Sequence, residues 1–528
     1  MTEPGLRGRS AGSVPRADAS VLRSSDRHDG EPVPRAEVCE THTAVVFFVG
    51  DRAYKLKKPV DLGFLDYTTV TARRAACERE VAFNRRFAPD VYLGLGEVQS
   101  PDAQAPEPLV VMRRMPAARR LSHLVREGVT VDDALRAVAR QLAAWHADAP
   151  RNREVDEQGT RDALTSRWEA SFQQVRALAD DGVVPDGVAE VERLVRRYLA
   201  GRKRLFDSRI EQGRVVDGHG DLLAEDIFCL DDGPRVLDCL EFDDHLRYVD
   251  GLDDAAFLAM DLEQLGAPQA AAYFLAQYGE YSGDPAPPSL WHHYVAYRAF
   301  VRFKVSLIQA RQGAPGAEAA SRRLIATALR HLRTSAVGLT LVGGLPGSGK
   351  STLSGALADR LGVTLLSSDR LRKELAEIPA EQSAAAGYGE GLYTPEWTAR
   401  TYATLLDRAS ALLSSGESVV LDATWSDEAK REAALRMAKH TSADLVALHC
   451  HVPDDVSAAR LSTRAPGASD ADLGIATTMA AREQPWPEAV AVDTSGTLES
   501  AVAQALAAVR PWGTDQAPVF RRPYMEPD

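Results

Sequence analysis

The sequence predicts a two-lobed α+β domain followed by an α/β domain with a mainly parallel sheet. In the first part, apolar strands near 43–58 precede long helical stretches that run to about 334, the usual order in an α+β unit. From about 338 onward, short apolar strands alternate with helical stretches, which is typical of a parallel sheet. The 528 residues also exceed the roughly 100–200 of one ordinary domain, so at least two domains are expected.

The boundaries between these units follow from changes in composition. Residues 1–34 are rich in Arg, Ser, Gly, Asp and Pro, which predicts a disordered leader. We expect the first domain at 35–335, the second at 336–512 and a loose tail at 513–528. In the first domain, strands are predicted at 43–49, 52–58, 109–112, 214–216, 227–230 and 235–242, and helices at 69–87, 131–207 and 248–334. In the second, strands are predicted at 338–343, 363–366, 418–421 and 445–449.

Composition and charge exclude several classes of protein. A hydrophobic content of 45% with 26% charged residues fits a soluble globular chain. The net charge of -13 argues against non-specific binding to nucleic acid. No apolar run approaches the roughly 20 residues that span a bilayer, and no apolar stretch follows the N-terminal arginines, so we expect no membrane association. The five scattered cysteines form no C-x-x-C pair, which favours a reducing, cytoplasmic location.

The most specific motif lies in the second domain, where a strand leads into a glycine-rich loop and then a helix. Glycines in such a loop let backbone N–H groups surround phosphate oxygens, and the helix N-terminus adds its positive dipole. Lys350 would reach the β- and γ-phosphates, and the Ser351 hydroxyl would bind Mg²⁺. ATP and Mg²⁺ are therefore the predicted cofactors. The nucleotide-binding segment consists of Gly344, Leu345, Pro346, Gly347, Ser348, Gly349, Lys350, Ser351 and Thr352.

Two acidic positions near strand ends are candidates for the chemistry of this domain. Asp422 ends an apolar strand, where a metal-binding carboxylate is expected beside a P-loop. Asp369 follows the second strand and is a candidate for orienting or deprotonating an acceptor hydroxyl; the alternative is that it caps a helix starting at Arg370. Arg372 is a candidate contact for phosphate or substrate.

Two later arginines are candidates for a phosphate clamp. Arg460 and Arg464 lie four residues apart on a predicted helix and therefore share one face. Such a face suits a lid that closes on the transferred phosphate, although a solvated basic face would have the same pattern.

Residues 338 to about 510 resemble the small P-loop kinases related to zeta toxins, polynucleotide kinase and gluconate kinase. The resemblance rests on the glycine-rich segment, on D-R-L-R at 369–372 and on V-V-L-D-A-T-W at 419–425. It implies an ATP-binding kinase domain and does not identify the acceptor.

The first domain contains a second informative segment, H-G-D-L-L-A-E-D at 219–226. A kinase catalytic loop places its base Asp five residues before a metal-binding Asn, and Asp221 and Asp226 have this spacing. The triplet at 219–221 resembles the aminoglycoside phosphotransferase and choline kinase families, whose loop reads H-G-D. The resemblance implies a two-lobed, protein-kinase-like fold in which Asp221 accepts the hydroxyl proton. Asp226 would bind the metal, with a carboxylate in place of the usual amide.

The second metal ligand of this domain has two candidates. Asp238 follows the apolar pair 236–237, whereas Glu241 precedes a phenylalanine, as the acid of the D-F pair does in these families. Asp250 and Asp254 resemble the G-D-P-x-x-D-L-A segment of these families, and counting back from it favours Glu241, but both residues stay open.

Other residues complete the expected nucleotide site of the first domain. Lys55 and Lys57 share one face of a strand, because strand side chains alternate. One of them would contact the α- and β-phosphates and pair with Glu80, or less favourably with Glu78, on the next helix. Residues 109–112 are a candidate interlobe hinge whose backbone meets adenine. The turn between the first two strands contains only Val-Gly-Asp at 49–51, so the full glycine loop of kinases is missing.

Together these features resemble fused bacterial proteins that combine an aminoglycoside phosphotransferase-like domain with a P-loop kinase-like domain. The implied function is phosphate transfer from ATP to a hydroxyl of a small molecule. The alternative is a nucleotide-binding regulatory protein with a degenerate N-terminal kinase domain and an ATP-switched P-loop domain. Acceptor pockets of the resembling families are acidic and hold amines, which suggests an amino sugar or aminoglycoside-like acceptor, unless the acids here are structural. Those acids are Asp243, Asp244, Asp250, Asp253 and Asp254.

Overall fold

The computed structural model describes residues 36–41, 43–61, 65–99, 105–178, 185–379, 382, 389–463 and 473–509. The predicted leader and tail, and Arg464, lie outside these residues. None of the helices in the described ranges has the length and apolar character needed to cross a bilayer.

The N-terminal lobe is a five-stranded antiparallel sheet with one helix packed on it. The strand order is β1-β2-β3-β5-β4, and the β2–β3 turn contains Gly50 at φ +58. Thr69 caps the helix, because its side chain accepts a hydrogen bond from the Ala72 N–H. The elements are β1 (Glu37–Glu40), β2 (Ala44–Val49), β3 (Arg52–Lys57), α1 (Val70–Asn84), β4 (Tyr92–Val98) and β5 (Glu107–Arg113).

The second lobe is mainly helical and carries two small antiparallel ribbons, β6 with β9 and β7 with β8. These ribbons frame the segment that contains the H-G-D triplet. Helices α8, α10 and α11 form the centre of this lobe, where residues such as Phe257, Phe300 and Ala328 are fully buried. The elements are α2 (Leu121–Arg126), α3 (Asp132–Asp148), α4 (Arg153–Gln158), α5 (Arg161–Ala177), α6 (Val188–Ala200), α7 (Lys203–Glu211), β6 (Val215–Asp217), β7 (Ile227–Leu230), β8 (Gly233–Val236), β9 (Tyr248–Asp250), α8 (Gly251–Gln264), α9 (Pro268–Ser282), α10 (Pro288–Arg311) and α11 (Ala317–Thr334).

The C-terminal domain is a five-stranded parallel sheet in the order β11-β12-β10-β13-β14. Its central strand β10 is buried along its whole length, as expected for a parallel sheet covered by helices on both faces. The elements are β10 (Gly338–Gly343), α12 (Lys350–Leu361), β11 (Thr364–Ser367), α13 (Ser368–Leu375), α14 (Pro395–Ser414), β12 (Val419–Asp422), α15 (Glu428–His440), β13 (Asp444–His451), α16 (Asp454–Ser462), α17 (Leu473–Ala480), β14 (Val490–Asp493) and α18 (Leu498–Val509).

The helical lobe and the C-terminal domain share one continuous apolar core, which includes residues from both, such as Leu205 and Leu405. Polar contacts at the boundary include an ion pair between Arg197 and Asp444 and two hydrogen bonds to backbone carbonyls. Ser289 Oγ donates to the Gly416 carbonyl at 2.7 Å, and Arg202 Nη1 donates to the Thr441 carbonyl at 2.7 Å. The two domains are therefore in contact through α7, α10 and the end of α14.

The predicted two-lobed α+β fold and the parallel α/β sheet are confirmed, but some predicted elements are wrong. The strand predicted at 235–242 ends at Val236, because Asp238 adopts φ +63 and turns the chain. The helical stretch predicted from 248 begins with a short strand, Tyr248–Asp250. Three further strands were missed: β1 is short and exposed, β4 contains two glycines, and β14 is short and mostly exposed.

Candidate active sites

The glycine-rich loop of the second domain lies between β10 and α12, at the carboxyl end of the sheet. Gly347 and Gly349 have φ values of +82 and +83, a conformation that L side chains rarely adopt. A Cβ on Gly344 would lie 2.6 Å from Ser348 Oγ, so a side chain there would collide with the loop. Lys350 is the first residue of α12, and only 8% of it is exposed. This is a backbone cradle with a lysine at a helix N-terminus, which suits phosphate groups.

Asp422 lies beside this cradle, because parallel pairing aligns the end of β12 with the ends of β10 and β11. Its Oδ2 accepts a hydrogen bond from Ser367 Oγ at 3.1 Å. Its Oδ1 is buried and has no hydrogen-bond partner in the described part of the chain. Burial raises the pKa of Asp422, while the nearby Lys350 charge and Ser351 hydroxyl oppose that rise. An unpartnered carboxylate oxygen next to a serine hydroxyl fits Mg²⁺, which prefers oxygen ligands.

Asp369 is the second residue of α13, and the N-cap position is Ser367. The alternative that Asp369 caps a helix starting at Arg370 is therefore wrong, since the helix begins at Ser368. The charge of Asp369 is close enough to raise the pKa of Asp422, although burial of Asp422 is the larger cause. Asp369 thus belongs to the same polar group as the metal-site carboxylate, and its role as a base stays a prediction.

Arg372 lies one turn further along α13 and is buried. Its Nη1 donates to the Leu392 carbonyl at 2.8 Å and to Thr398 Oγ1 at 3.3 Å. Its guanidinium also lies over the Tyr393 ring, 4.7 Å from the centroid. These contacts fasten the turn before α14 to α13, so in this conformation Arg372 positions that turn.

A cavity of about 360 Å³ opens beside the glycine-rich loop. Arg460 lines it, and its Nη2 donates to the Thr494 carbonyl at 2.7 Å. Sequence reasoning missed Thr494, whose hydroxyl bonds the Ser348 carbonyl in the loop itself. The polar segment T-S-G-T at 494–497 follows β14 at the carboxyl edge of the sheet, where ligands bind in open α/β folds, and this placement could have identified it.

In the N-terminal lobe, Lys55 and Lys57 share one carboxylate partner. Lys55 Nζ lies 2.9 Å from Glu80 Oε1, and Lys57 Nζ lies 2.7 Å from Glu80 Oε2. The Glu80 side chain is fully buried. Burial alone would raise the pKa of Glu80, but the two ammonium groups outweigh it and hold the pKa below its usual value. The predicted lysine–glutamate pair is thus formed by both lysines at once, and Glu78 lies exposed on the other side of the helix.

Asp238 and Glu241 occupy different places around this network. Asp238 Oδ1 lies 2.6 Å from Lys55 Nζ, whereas Glu241 pairs with Lys57 and accepts from Tyr67 OH at 3.1 Å. Burial, together with the charge of Asp238, raises the pKa of Asp226 well above its usual range. Asp238 is therefore close enough for its charge to act on Asp226, whereas Glu241 is engaged by Lys57 and Tyr67, and this favours Asp238 over Glu241 as the second metal ligand.

Asp221 sits in the H-G-D loop, and that loop is fixed by one buried carboxylate. Asp254 accepts hydrogen bonds from the backbone N–H of His219 at 2.6 Å and of Gly220 at 2.9 Å. Burial raises the pKa of Asp221 to about 6, and the charges of Arg302 and Arg298 oppose a larger rise. A carboxylate with a pKa near 6 on a rigid loop is suited to accept a proton from a hydroxyl near neutral pH.

The acids expected to form an amine-binding pocket are held by partners within the protein. Asp253 forms a bidentate pair with Arg298, at 2.8 and 3.0 Å, in the interior. These acids therefore have structural roles, which is the alternative to an amine-binding pocket. The contacts are Asp243 with the His245 N–H, Asp244 with Arg79 and Arg247, Asp250 with Arg209, Asp253 with Arg298, and Asp254 with His146, His219 and Gly220.

Two further expectations for the first domain change with the structure. Residues 109–112 lie inside β5 and pair with β3 on one side and β4 on the other, so their backbone is not a free hinge. The chain leaves the sheet after Arg113, which places the interlobe connection at 114–120. Within the described residues, no cluster of three or more acidic, His or Cys side chains is preformed for a metal. The oxygen donors of Asp226 and Asp238 nevertheless suit Mg²⁺ by their chemistry.

Known proteins are similar to this chain in sequence and in structure. Residues 339–485 match a family model described as an AAA domain. An uncharacterized protein of Mycobacterium tuberculosis is 44% identical over 480 residues, which cover 91% of this chain and 96% of that protein. A choline/ethanolamine kinase family protein from Mesorhizobium loti is 17% identical and covers 57% of this chain and 92% of its own, with a TM-score of 0.34. A gluconokinase from Sinorhizobium meliloti is 20% identical and covers 34% of this chain and 93% of its own, with a TM-score of 0.25.

Proposed function

The chain belongs to the same protein family as the uncharacterized Mycobacterium tuberculosis protein, and we propose that it is an ATP- and Mg²⁺-dependent phosphotransferase with a small-molecule hydroxyl as acceptor. The observation that carries the proposal is the polar group around the glycine-rich loop. There Lys350 begins a helix, and Asp422 holds one buried carboxylate oxygen without a partner in the described residues. Phosphoryl transfer needs positioning and charge neutralisation, and this group supplies both.

In the C-terminal site, the loop N–H groups and Lys350 would bind the β- and γ-phosphates. Ser351 and Asp422 would hold the magnesium ion, which neutralises phosphate charge when bound. Arg460 lines the same cavity and adds a positive charge there. Asp369, beside Asp422, would orient the acceptor hydroxyl.

The N-terminal site contains a second set of residues suited to bind phosphate, hold the metal and accept a proton. Lys55, aligned by Glu80, would contact the phosphates, and Asp226 and Asp238 would hold the metal. Asp221 would take the hydroxyl proton, as its raised pKa and fixed loop support. On this proposal, the N-terminal site has a candidate base with a raised pKa, whereas the C-terminal site has the more complete phosphate cradle.

A nucleotide-binding regulatory protein is the second candidate, and two observations favour it. The β2–β3 turn offers only Gly50 and Asp51 to cover phosphates. Asp238 is also engaged with Lys55 at 2.6 Å, so the proposed metal ligand and phosphate contact satisfy each other.

The test is phosphate transfer by the full-length protein from ATP to a metabolite extract, with products read by mass spectrometry. The proposal predicts products 80 Da heavier that require Mg²⁺ and disappear with a chelator. ATP binding without any transferred phosphate would instead support the regulatory candidate. An equilibrium binding measurement with a non-hydrolysable ATP analogue separates that outcome from a protein that binds no nucleotide.

A further inference from the structure

Helix α10 presents two arginines, Arg298 and Arg302, one turn apart towards the H-G-D loop. Arg298 is buried, and its guanidinium is engaged in hydrogen bonds. It donates to both carboxylate oxygens of Asp253, and its Nη1 donates to the Gly220 carbonyl at 3.1 Å. Its role is to hold the loop that carries Asp221. The second arginine is placed one helical turn further along, on the same face.

Arg302 differs from Arg298 because it is only half-buried and forms no hydrogen bond or ion pair within the described part of the chain. Its charge nevertheless acts on the carboxyl groups of Asp221 and Asp261. Asp261 is itself engaged, since it accepts from the Ala224 N–H at 2.9 Å. A guanidinium in this position keeps its planar set of donors available for a carboxylate or phosphate.

The surroundings of Asp221 offer few carboxylates that could bind a cationic acceptor. Of the acids near Asp221, Asp238 pairs with Lys55, and its charge also acts on Asp226; both are the proposed metal ligands. Asp253 is taken by Arg298. The Asp254 carboxylate is hydrogen-bonded to the backbone of the loop and to His146. An amine-binding pocket would need carboxylates free of both internal partners and the metal site. Of these acids, Asp253 and Asp254 are engaged internally, and Asp226 and Asp238 are the proposed metal ligands.

We propose that the acceptor of the N-terminal site is an anionic small molecule whose carboxylate or phosphate is bound by Arg302 while its hydroxyl faces Asp221. This inference rests on the proposed phosphotransferase function and names its substrate class. In the transfer, the hydroxyl oxygen forms a bond to the γ-phosphorus, and the bond from that phosphorus to the β–γ bridging oxygen breaks. The hydroxyl proton goes to Asp221, and ADP leaves. Arg302 binds the acceptor at a second point and takes no proton in this step.

The experiment uses the full-length protein and a metabolite extract separated by ion exchange into anionic, neutral and cationic fractions. Each fraction is incubated with ATP and Mg²⁺, and Asp221-dependent products are read by mass spectrometry. Four proteins are compared, namely the wild type, Asp221→Asn, Arg302→Gln and Arg323→Gln. The last is the control, because it removes the same charge at an exposed position on α11.

We expect the product in the anionic fraction, with the apparent KM for that fraction raised about 10- to 100-fold in Arg302→Gln, as for loss of one charge-assisted hydrogen bond. The KM for ATP and the Arg323→Gln control should stay unchanged. Asp221-dependent product from the neutral or cationic fraction, or an unchanged acceptor KM in Arg302→Gln, overturns the inference alone. If Asp221→Asn changes no product from any fraction, phosphotransfer at this site fails and the inference fails with it.

Discussion

The two phosphate sites of this protein are built in opposite ways. The C-terminal site is mainly backbone, contributed by nine consecutive residues at 344–352 between a strand and a helix. The N-terminal site is made of side chains from β3, α1 and the loops around β7 and β8. These lie far apart in the chain, with a separation of 183 residues between Lys55 and Asp238. A contiguous backbone site can be recognised from sequence alone, whereas a dispersed side-chain site needs the fold to show which charges meet.

The two sites also differ in the interactions that stabilise them. In the N-terminal site, Lys55, Lys57, Glu80, Asp238 and Glu241 form one connected network of charges, much of it buried. Removing one charge from such a network leaves its partner uncompensated in a low-dielectric interior. In the C-terminal site, backbone conformation matters more than charge pairing, because glycines of the loop adopt positive φ values. Substitutions can therefore test each half of the comparison separately.

The largest expected effect is on the N-terminal network. Replacing Glu80 with Gln removes the negative charge shared by Lys55 and Lys57, and should lower the free energy of unfolding by about 3–5 kcal/mol, the cost of breaking a buried ion pair. The lower end is expected because Lys57 keeps Glu241. Chemical denaturation of the full-length protein measures this change.

The matched control is Glu78→Gln, which removes the same charge from the exposed face of α1. It should change the free energy of unfolding by no more than about 0.5 kcal/mol. Equal effects of the two substitutions would show that Glu80 does not hold the network together.

A smaller effect is expected from the backbone of the C-terminal loop. Gly347→Ala places a Cβ at positive φ and 2.9 Å from the Ser457 carbonyl. The left-handed conformation alone costs about 1–2 kcal/mol, so ATP affinity at this site should fall roughly tenfold. Isothermal titration calorimetry with a non-hydrolysable ATP analogue measures the loss.

The control for this substitution is Gly355→Ala, further along α12, where an added Cβ meets nothing within 4 Å. It should leave ATP affinity unchanged and slightly stabilise the helix, by up to about 1 kcal/mol. Similar affinities for the two variants would mean that the loop does not bind phosphate in the conformation described.

The third effect is a pH dependence that belongs to the N-terminal site. Burial raises the pKa of Asp221 to about 6, and the base must be ionised to accept a proton. Asp221-dependent transfer should therefore be constant above pH 7 and fall about tenfold for each unit below pH 6. Initial rates at saturating ATP between pH 4.5 and 8 test this. A break near pH 4, the ordinary value for Asp, would show that Asp221 is not buried as described.

The sequence allowed much of the fold to be predicted, because the strand–loop–helix pattern at 338–357 and the apolar strands of both sheets are local signals. The choice between Asp238 and Glu241 could not be made from spacing, since it depends on the turn that Asp238 makes at φ +63 after β8. The shared role of Glu80 was also hidden, because alternation places Lys55 and Lys57 on one face without saying that both reach one carboxylate. Thr494 was missed because β14 is short and mostly exposed.

The most direct test of the central claim compares Lys350→Ala with Asp221→Asn in one assay of ATP-dependent phosphorylation of small molecules by the full-length protein. Loss of a general base lowers the rate by about 10²- to 10⁴-fold, and loss of one phosphate-binding charge by about 10²- to 10³-fold. Our account predicts that each variant loses a distinct set of phosphorylated products and keeps the other set, because each site has its own phosphate contacts. If both variants retain every product at the wild-type rate, neither site transfers phosphate, and the proposed function is wrong.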